Sequence, residues 1–412
     1  MAALKHYILV VNAGSSSLKV SLFKLLDKSL ELFADAHIRS VDKPRAKIDL
    51  AIEEPKHTVN SFSVEVEQTP LSQLFKVLEG NPDWHFKAKD IVAVGHRVVH
   101  GGVQTKSQRL TPQLIAEIES LSILAPLHNP ASVAGIKAAM AAVGRDIPHF
   151  AVFDTAFHHT MPAEASTYGI PADLAVRYFI RRYGFHGIAH QSMWNIYERI
   201  GKGRKVITLQ LGNGCSMAAI CEGRSLDTTM GFTPGEGLLM GTRAGDLDTG
   251  VVDYLCKQTG KSVEEINRIL NTESGLLGVS GVSSDMKTLC AQKDQPKVRL
   301  ALELFCYRIV KYIGAYIAVL GGVDAIIFSG GIGENSSYVR SEVAKKMAWY
   351  GLWINAELNA KVADLQPAEV HNISDAASTV EVYVIGSDEN AFIAREVVKQ
   401  IKKNPLETIA KV

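Results

Sequence analysis

Two apolar runs flank a small polar loop in Ile8-Leu9-Val10-Val11-Asn12-Ala13-Gly14-Ser15-Ser16-Ser17-Leu18-Lys19-Val20-Ser21-Leu22-Phe23. Alternation resumes at Val20 and Leu22, so the pattern predicts a strand, a tight turn and a returning strand. The turn holds an amide, a glycine, three hydroxyls and a lysine, and Gly14 lets backbone approach a ligand closely. Such donors, converging on one point, suit a polyphosphate. A polar turn without a ligand is the simpler alternative, and the Walker pattern GxxxxGK[ST] is absent from the chain.

Length and composition indicate a globular protein of two or three domains. The chain has 412 residues and 47% hydrophobic content, which is typical of a protein with a full core. Its formal charge is +1, from 44 basic and 43 acidic residues, which favours neither nucleic acid nor a membrane as partner. The five cysteines form no CxxC pair. Reduced thiols and the lack of a signal-peptide pattern fit a cytoplasmic protein.

A second glycine turn repeats the first pattern in the other half of the chain. The stretch 209–220 again reads as a strand, a turn containing Gly212, Asn213 and Gly214, and a returning strand. Two such hairpins suggest a duplicated domain with a nucleotide between the halves, although coincidence is an alternative. We place a domain boundary near residue 155.

Further elements are expected in the second half. Apolar residues that recur every three or four positions between 302 and 320 predict a long amphipathic helix. A third glycine turn, 328–335, follows a strand and precedes a helix at about 337–348. Glycines and Asp324 interrupt the longest apolar tract, so we predict no membrane span.

Several charged residues lie in loops that glycine or proline holds. Arg97 ends a β-rich run beside paired glycines, and Asp154 follows another such run. His128 stands between two prolines, and His186 occupies a glycine-flanked turn. An isolated arginine is more often paired with a carboxylate at the surface, and a lone histidine is more often structural. Because these histidines lie in rigid loops, the structural and the catalytic interpretation have equal support.

Arg243 and Glu389 complete the candidate set. Arg243 lies in a glycine-rich loop and can reach a ligand with both arms of its fork. Asp246 and Asp248 follow it closely and are its ordinary partners in the alternative interpretation. Glu389 is either a Mg²⁺ ligand or a plain acid at a helix N-terminus. Phosphoryl transfer needs mainly positioning and neutralisation of negative charge, which this set of residues provides.

Nine motifs then make a resemblance visible, because they run in the order and spacing of the acetate kinase family. They span residue 8 to about residue 395 and comprise NAGSSSLK, GHRVVHGG, APLHNP, FDTAFH, YGFHG, LGNG, GTRAGDLD, VSSD and GGIGEN. The resemblance implies an α/β fold of two ribonuclease-H-like (actin-like ATPase) domains with a nucleotide cleft between them. One domain would be residues 1–155, joined by the C-terminal segment 388–412. The other would be 156–387, with nucleotide binding and the interface of a homodimer.

The resemblance also implies the catalytic residues. Arg97 and Arg243 would hold the substrate carboxylate and the transferring phosphoryl group. Asp154 would position substrate or metal, and His186 would donate to the transition state. The metal, Mg²⁺ or Mn²⁺, would be held by Asn12 and Glu389.

Two larger sets of binding residues follow from the same resemblance. The positions expected to contact ATP are Ser15, Ser16, Ser17, Lys19, Gly212, Asn213, Gly214, Asp285, Met286, Lys287, Gly331, Ile332 and Asn335. The positions expected to line the pocket for the acyl group are Arg97, Val99, Leu127, His128, Phe185 and Pro234. Lys287 departs from the family, which commonly has an arginine there, so the base preference of the nucleotide stays open.

The expected reaction is reversible, Mg-dependent transfer of a phosphoryl group from ATP to acetate, giving acetyl phosphate and ADP directly. A carboxylic acid with a pKa of about 4 is already ionised at neutral pH and needs no general base. Two alternatives remain: the same chemistry on propionate, and a non-catalytic nucleotide-gated binding protein of the same superfamily. We expect small-molecule substrates, no nucleic-acid or membrane partner, and a homodimer.

Overall fold

The computed structural model describes residues 6–14, 16–27, 29–41, 45–53, 57–65, 70–126 and 128–403. Two of the predicted site residues, Ser15 and Leu127, lie outside these ranges. Contacts divide the chain into two compact units, one of Met1–Ala156 with Glu389–Val412 and one of Phe157–Asp388. None of the helices in the described ranges combines the length and the apolar content needed to cross a membrane.

Strands and helices are numbered in chain order within these ranges. The strands are β1 His6–Ala13, β2 Ser17–Leu25, β3 Leu30–Arg39, β4 Arg45–Ile52, β5 His57–Glu65, β6 Ile91–Val98, β7 Gln108–Arg109, β8 His149–Phe153, β9 Lys205–Leu211, β10 Cys215–Cys221, β11 Arg224–Thr228, β12 Ala325–Ser329, β13 Val370–Asn372 and β14 Glu381–Ile385. The α-helices are α1 Pro70–Gly80, α2 Pro112–Ser120, α3 Asn129–Val143, α4 Ala163–Ser166, α5 Ala172–Arg177, α6 Gly187–Tyr197, α7 Thr249–Thr259, α8 Val263–Thr272, α9 Gly275–Ser280, α10 Met286–Ala291, α11 Pro296–Leu320, α12 Gly330–Asn335, α13 Ser337–Met347, α14 Ala356–Lys361 and α15 Glu389–Lys403.

The two units repeat one strand arrangement. The sheet of the first unit has the order β5-β4-β3-β2-β1-β6-β8-β7, and that of the second has β11-β10-β9-β12-β14-β13. In each, three antiparallel strands formed by consecutive hairpins are followed by two parallel ones: β3-β2-β1 then β6-β8, and β11-β10-β9 then β12-β14. This repeated order supports the interpretation of the two glycine-turn hairpins as parts of a duplicated domain.

The first hairpin forms as the sequence predicts. Strands β1 and β2 pair antiparallel, with Asn12 opposite Lys19. The Gly14 N–H donates to the Ser17 carbonyl at 2.8 Å and closes the turn. The apolar residues of β1 from Tyr7 to Val11 are at most 1% exposed, because helices cover both faces of this strand. The polar loop is therefore carried on a rigid, buried strand.

Helix α15 returns the C-terminal segment to the first unit. A Cβ built on Gly95 of β6 would lie 2.7 Å from Ile393 and 2.8 Å from Val397. Only glycine therefore allows α15 to pack this closely on β6. The close approach brings the first residue of α15, Glu389, toward Arg97 on the same strand.

The helix that the periodicity of residues 302–320 predicts is confirmed as α11, Pro296–Leu320. Its apolar residues Phe305, Ile309 and Ile313 are buried. Helix α3, Asn129–Val143, is missing from the predictions. Its sequence is rich in alanine, so it lacks the contrast between apolar and polar faces that identifies an amphipathic helix.

Candidate active site

In the first unit, the opening hairpin presents polar groups that a ligand can reach. Ser16 and Lys19 are exposed, and Asn12 and Ser17 are half-buried. Lys19 lies across the ladder from Asn12. The structure thus keeps these four predicted residues together on one turn and its flanking strands.

Arg97, Asp154 and Glu389 form a second cluster in the same unit. Arg97 on β6 and Asp154 just after β8 lie on neighbouring parallel strands. The Arg97 guanidinium donates Nε to Asp154 Oδ2 at 3.1 Å and Nη2 to the same oxygen at 2.7 Å. Its Nη1 lies 3.7 Å from Glu389 Oε2. The alternative in which an arginine pairs with a carboxylate therefore holds for Arg97, but the pair is not a surface one, because Asp154 is 1% exposed.

The electrostatics of this cluster keep Arg97 charged. Burial lowers the pKa of the guanidinium, but the charges of Asp154 and Glu389 more than compensate and raise it above its ordinary value. Asp154 holds the Arg97 guanidinium through these hydrogen bonds. This geometry is a fixed cation flanked by two acids.

Glu389 fits one of its two predicted descriptions, that of an acid at a helix N-terminus. It begins α15 and so is the acid of a helix N-terminus, and it also faces Arg97. Asn390, the next residue, donates from Nδ2 to Ser21 Oγ at 2.8 Å. Among the described residues, no three His, Cys, Asp or Glu side chains cluster as a metal site. The oxygen donors of Asn12 and Glu389 suit Mg²⁺, which takes one or two carboxylates and completes its shell with phosphates and water.

Asn129 holds the loops that carry two predicted pocket residues, and the sequence analysis missed it. Its Nδ2 donates to the carbonyls of His100 and Ile118 at 3.1 Å, and its Oδ1 accepts from His100 N–H at 3.0 Å. Val99 precedes His100 and His128 precedes Asn129, so these hydrogen bonds hold the backbone beside both predicted pocket residues. Val99 is 8% exposed.

In the second unit, the glycine turn lies beside two predicted catalytic residues. A Cβ built on Gly214 would lie 3.5 Å from Cε1 of His186 and 3.7 Å from Nη1 of Arg243. Strands β9 and β10 hold this turn, with Leu211 opposite Cys215. The structure therefore brings together His186, Arg243 and the turn 212–214, which are far apart in the sequence.

Arg243 is held without a carboxylate. Its Nη1 donates to the Pro234 carbonyl at 3.2 Å and approaches Met240 Sδ at 4.0 Å. Across the described ranges, no carboxylate oxygen lies within 4.0 Å of its guanidinium. Burial lowers its pKa, opposed by the nearby Cys215. Arg243 is half-buried. Partial desolvation of a cation is costly, and a bound anion offsets that cost.

The alternative that assigned Asp246 and Asp248 to Arg243 is wrong. Asp246 accepts from Gly237 N–H at 2.9 Å and from the Tyr312 hydroxyl at 2.7 Å. Asp248 caps α7 and accepts from Gly250 N–H at 2.8 Å. Both acids therefore bond to groups other than Arg243, which spacing along the sequence does not reveal.

His186 occupies a strained position at the start of α6. Its φ of 56° lies in the left-handed region, which is rare for a residue other than glycine. Its Nδ1 lies 2.9 Å from Ser216 Oγ. Phe185, a predicted pocket residue, is buried, and its carbonyl lies 3.0 Å from Nε2 of His158. Strain that the surroundings enforce in this way is typical of functional sites.

Six of the expected nucleotide residues lie at the start of α10 and within α12. Asp285 caps α10 by accepting from Thr288 N–H at 2.8 Å, Met286 is buried and Lys287 is exposed. In α12, Gly331 is exposed and Ile332 is half-buried. Asn335 ends α12, donates to the Gly331 carbonyl at 3.0 Å and accepts from Asp364 N–H at 2.9 Å.

Two buried charges that the sequence analysis missed hold α12. The Glu334 carboxylate accepts from Gly330 N–H at 2.8 Å and from Ser387 N–H at 3.0 Å. Arg340 is fully buried, and its Nη1 donates to the Gly333 and Glu334 carbonyls at 2.8 and 2.7 Å. Burial raises the pKa of Glu334 and lowers that of Arg340 to about 10. These contacts fix the turn that follows β12.

A model of the Acetokinase family matches residues 7–395. The chain belongs to this family. An acetate kinase of Chloroherpeton thalassium is 46% identical over 316 residues, which are 75% of each chain. An acetate kinase of Solibacter usitatus is 40% identical over 97% of this chain and 99% of its own length.

Solved structures of acetokinases agree with the fold. The acetate kinase of Porphyromonas gingivalis superposes with a TM-score of 0.85 at 36% identity, over 96% of this chain and 99% of its own. A propionate kinase from Francisella tularensis gives a TM-score of 0.85 at 34% identity, over 95% of this chain and 98% of its own. The predicted family and the predicted fold class are confirmed.

This acetokinase buries several neutral histidines, which make its stability depend on pH. Burial lowers the pKa of His100, His149 and His158 from 6.5 to about 4, and it holds the pKa of His96 and His190 well below 6.5. Between pH 6.5 and 4 the unfolded chain therefore binds more protons than the folded one, and stability falls as the pH falls.

We expect the free energy of unfolding to drop between pH 7 and pH 5.5 by up to about 1.4 kcal/mol per pH unit for each histidine that titrates. Urea denaturation at these pH values measures the drop. His158→Gln should reduce the slope by one histidine's share. Equal stability at pH 7 and pH 5.5 would contradict the burial of neutral histidines.

Proposed function

We propose that the protein is an acetate kinase that transfers the terminal phosphoryl group of ATP directly to acetate, reversibly, giving acetyl phosphate and ADP. The grouping of Arg243, His186 and the glycine turn 212–214 carries this proposal. It sets two donors beside a turn with accessible backbone, and among the described residues it gives Arg243 no carboxylate partner. Membership of the Acetokinase family supports ATP as the donor.

The chemistry assigns charge neutralisation to the arginines. Acetate is ionised at neutral pH and attacks without a base. Its approach to an anionic phosphate is opposed by repulsion, which Arg97 and Arg243 reduce. Asp154 keeps the Arg97 fork in place and is not needed for proton abstraction. His186 donates a hydrogen bond to the transferring group as negative charge spreads over its oxygens.

Magnesium is the metal that the oxygen donors favour, and we assign Asn12 and Glu389 to it. When bound, Mg²⁺ neutralises phosphate charge and aligns the phosphates. Ser16, Ser17 and Lys19 supply the remaining donors of the opening hairpin. We propose cytoplasmic function, which the five free cysteines support.

We propose that the two domains share the work. Residues 1–155 with 388–412 bind the acyl substrate, and 156–387 bind the nucleotide through α10 and α12. The division of contacts after Ala156 and Asp388 supports these boundaries. We also propose a homodimer formed through the second domain, where Val176, Tyr178 and Phe179 are exposed apolar side chains. A single monomeric species in sedimentation would refute the dimer.

Trapping of the product tests the proposed activity. Purified protein with ATP, Mg²⁺, acetate and hydroxylamine should accumulate acetyl hydroxamate. Omission of acetate or of Mg²⁺ provides the controls. Tight ATP binding without hydroxamate would instead favour a nucleotide-gated binding protein.

The length of the acyl group is set by Val99, in our proposal. Val99→Ala should raise kcat/KM for propionate relative to acetate by about 10-fold or more, since one methylene contributes about 1–3 kcal/mol of discrimination. Competition assays with both acids measure the ratio. Val98→Ala removes the same atoms from the core and should leave the ratio unchanged. An unchanged ratio in Val99→Ala would remove Val99 from the pocket.

A further inference from the structure

The side chains of Thr208, His190 and Ser216 form a buried relay of hydrogen bonds that ends at His186. Thr208 Oγ1 on β9 lies 2.7 Å from Nδ1 of His190, and Nε2 of His190 lies 2.8 Å from Ser216 Oγ on β10. Ser216 Oγ then lies 2.9 Å from Nδ1 of His186. Thr208, His190 and Ser216 are fully buried. His190 follows His186 by one turn of α6, so both rings reach the same hydroxyl.

We propose that Thr208, His190 and Ser216 are positioning residues that fix the neutral tautomer of His186 with its proton on Nε2. This inference rests on the proposed function, in which His186 donates to the transferring phosphoryl group. It adds the question of which nitrogen holds the proton and which residues decide it.

The direction of the hydrogen bonds begins at Thr208. Within the described part of the chain, the Thr208 hydroxyl has one hydrogen-bond partner, the Nδ1 of His190. If Nδ1 carried a proton, Thr208 would accept that bond, and its own buried proton would have no acceptor. Burying an unsatisfied donor costs about 1–3 kcal/mol. The Thr208 hydroxyl therefore donates to Nδ1 of His190.

His190 passes this direction on. Burial holds its pKa well below 6.5, with His158 and His186 as smaller contributors, so the ring is neutral. A neutral imidazole has one donor and one acceptor nitrogen. Because Nδ1 accepts from Thr208, Nε2 carries the proton and donates to Ser216 Oγ.

Ser216 completes the chain. Its oxygen accepts from His190, and its proton is directed to its other partner, Nδ1 of His186. Nδ1 of His186 is thereby an acceptor, and the ring proton resides on Nε2. Reversing this order would leave the Thr208 proton buried without an acceptor, so the three residues favour one tautomer.

A neighbouring histidine holds the backbone of the same turn. The Phe185 carbonyl can only accept, so Nε2 of His158 donates to it at 3.0 Å, and Nδ1 accepts from Ser225 Oγ at 2.8 Å. His158 thus constrains the peptide before His186, and Ser216 constrains the ring. The left-handed backbone of His186 and the orientation of its ring are therefore held by different residues.

The proton on Nε2 has a consequence for the turn 212–214. A Cβ built on Gly214 would lie 3.7 Å from Nε2 of His186. The donor nitrogen of His186 therefore lies on the side of the ring that faces the glycine turn and Arg243. A phosphate oxygen bound at this turn would meet an N–H group rather than a lone pair.

Nitrogen NMR of the whole protein tests the proposal directly. With ¹⁵N-labelled histidine, His186 should show Nε2 at the position of a protonated nitrogen and Nδ1 at that of an unprotonated one. Assignment comes from the signals lost in His186→Gln. A protonated Nδ1 on neutral His186 in the unmodified protein would overturn the proposal, whether or not any variant folds.

Matched variants test which residues set the tautomer. Ser216→Ala and Thr208→Val should each produce a mixture of His186 tautomers, and Thr208→Ser should restore the single form. Ser225→Ala removes the same hydroxyl from the neighbouring His158 and should leave the His186 signals unchanged. A single Nε2–H form in Ser216→Ala would refute the role of the relay.

Kinetics separate a positioning role from a merely structural one. We expect Ser216→Ala to lower kcat by about 10–100-fold, the usual size for losing a partner that orients a functional histidine, with little change in KM for acetate or ATP. Unchanged kcat with a mixed tautomer would show that the relay does not serve catalysis. The NMR result stands independently of activity, so failure of the proposed function, seen as absent hydroxamate, is distinguishable from failure of the relay.

Discussion

Arg243→Ala is expected to lower kcat for acetyl phosphate formation by about 10³–10⁵-fold, which is roughly 4–7 kcal/mol of transition-state stabilisation. An arginine that stabilises a transferring phosphoryl group contributes on this scale, because charge spreads over the phosphoryl oxygens only in the transition state. The hydroxamate assay under saturating acetate and ATP measures kcat.

The contacts of Arg243 make this variant easy to interpret. Its guanidinium bonds to the Pro234 carbonyl and approaches Met240 Sδ, so within the part of the chain that the structure describes its removal leaves no carboxylate unpaired. We therefore expect the folded structure to persist. Arg243→Lys should recover little activity, since an ammonium lacks the planar fork with which a guanidinium donates to two oxygens.

A surface arginine provides the control for Arg243→Ala. Arg204 is 75% exposed and pairs with Glu222, and such pairs contribute about 0–1 kcal/mol. Arg204→Ala should leave both kcat and stability near those of the unmodified protein. If kcat of the folded Arg243→Ala variant fell less than tenfold, Arg243 would not stabilise the transition state.

Local pattern was sufficient for the parts of the fold that depend on neighbours in sequence. The two hairpins follow from alternating apolar runs around glycine turns, and α11 follows from its own periodicity. The duplicated strand order could be anticipated only because each half carries one such hairpin. Helix α3 could not be predicted because an alanine-rich helix has little contrast between its apolar and polar faces.

Partners across the sequence were beyond local pattern. Arg97 meets Asp154, 57 positions away, because parallel strands β6 and β8 bring their ends to one edge. Asp246 and Asp248 are close to Arg243 in sequence, yet the glycine-rich loop directs them elsewhere. Charge spacing predicts pairing on a helix, where geometry is regular, but not in an irregular loop.

The relay to His186 had a weak sequence signal. Thr208 and Ser216 are hydroxyl residues inside otherwise apolar strands, and a buried hydroxyl needs a partner. That pattern indicates a buried polar network but does not name the other members. His190 becomes recognisable as one only when α6 is placed against β9 and β10.

Arg97→Ala is the second variant with a large expected effect, because it should impair both activity and stability. Removing the guanidinium takes away the counter-charge that Arg97 supplies to Asp154, which is 1% exposed. Breaking one partner of a buried pair costs about 3–5 kcal/mol of folding free energy. As a control, Arg39→Ala breaks an exposed pair with Asp49 and should cost about 1 kcal/mol or less.

The double variant Arg97→Ala with Asp154→Ala separates the two effects of the single one. The double variant no longer contains the buried Asp154 charge that Arg97 balanced, so urea denaturation should show it to be more stable than Arg97→Ala alone. Its activity should stay as low as that of the single variant, because the cation that we propose to bind the substrate is still missing. If stability and activity recovered together, Arg97 would act only through the fold. If the double variant were less stable than Arg97→Ala, the pairing with Asp154 would not be the source of the destabilisation.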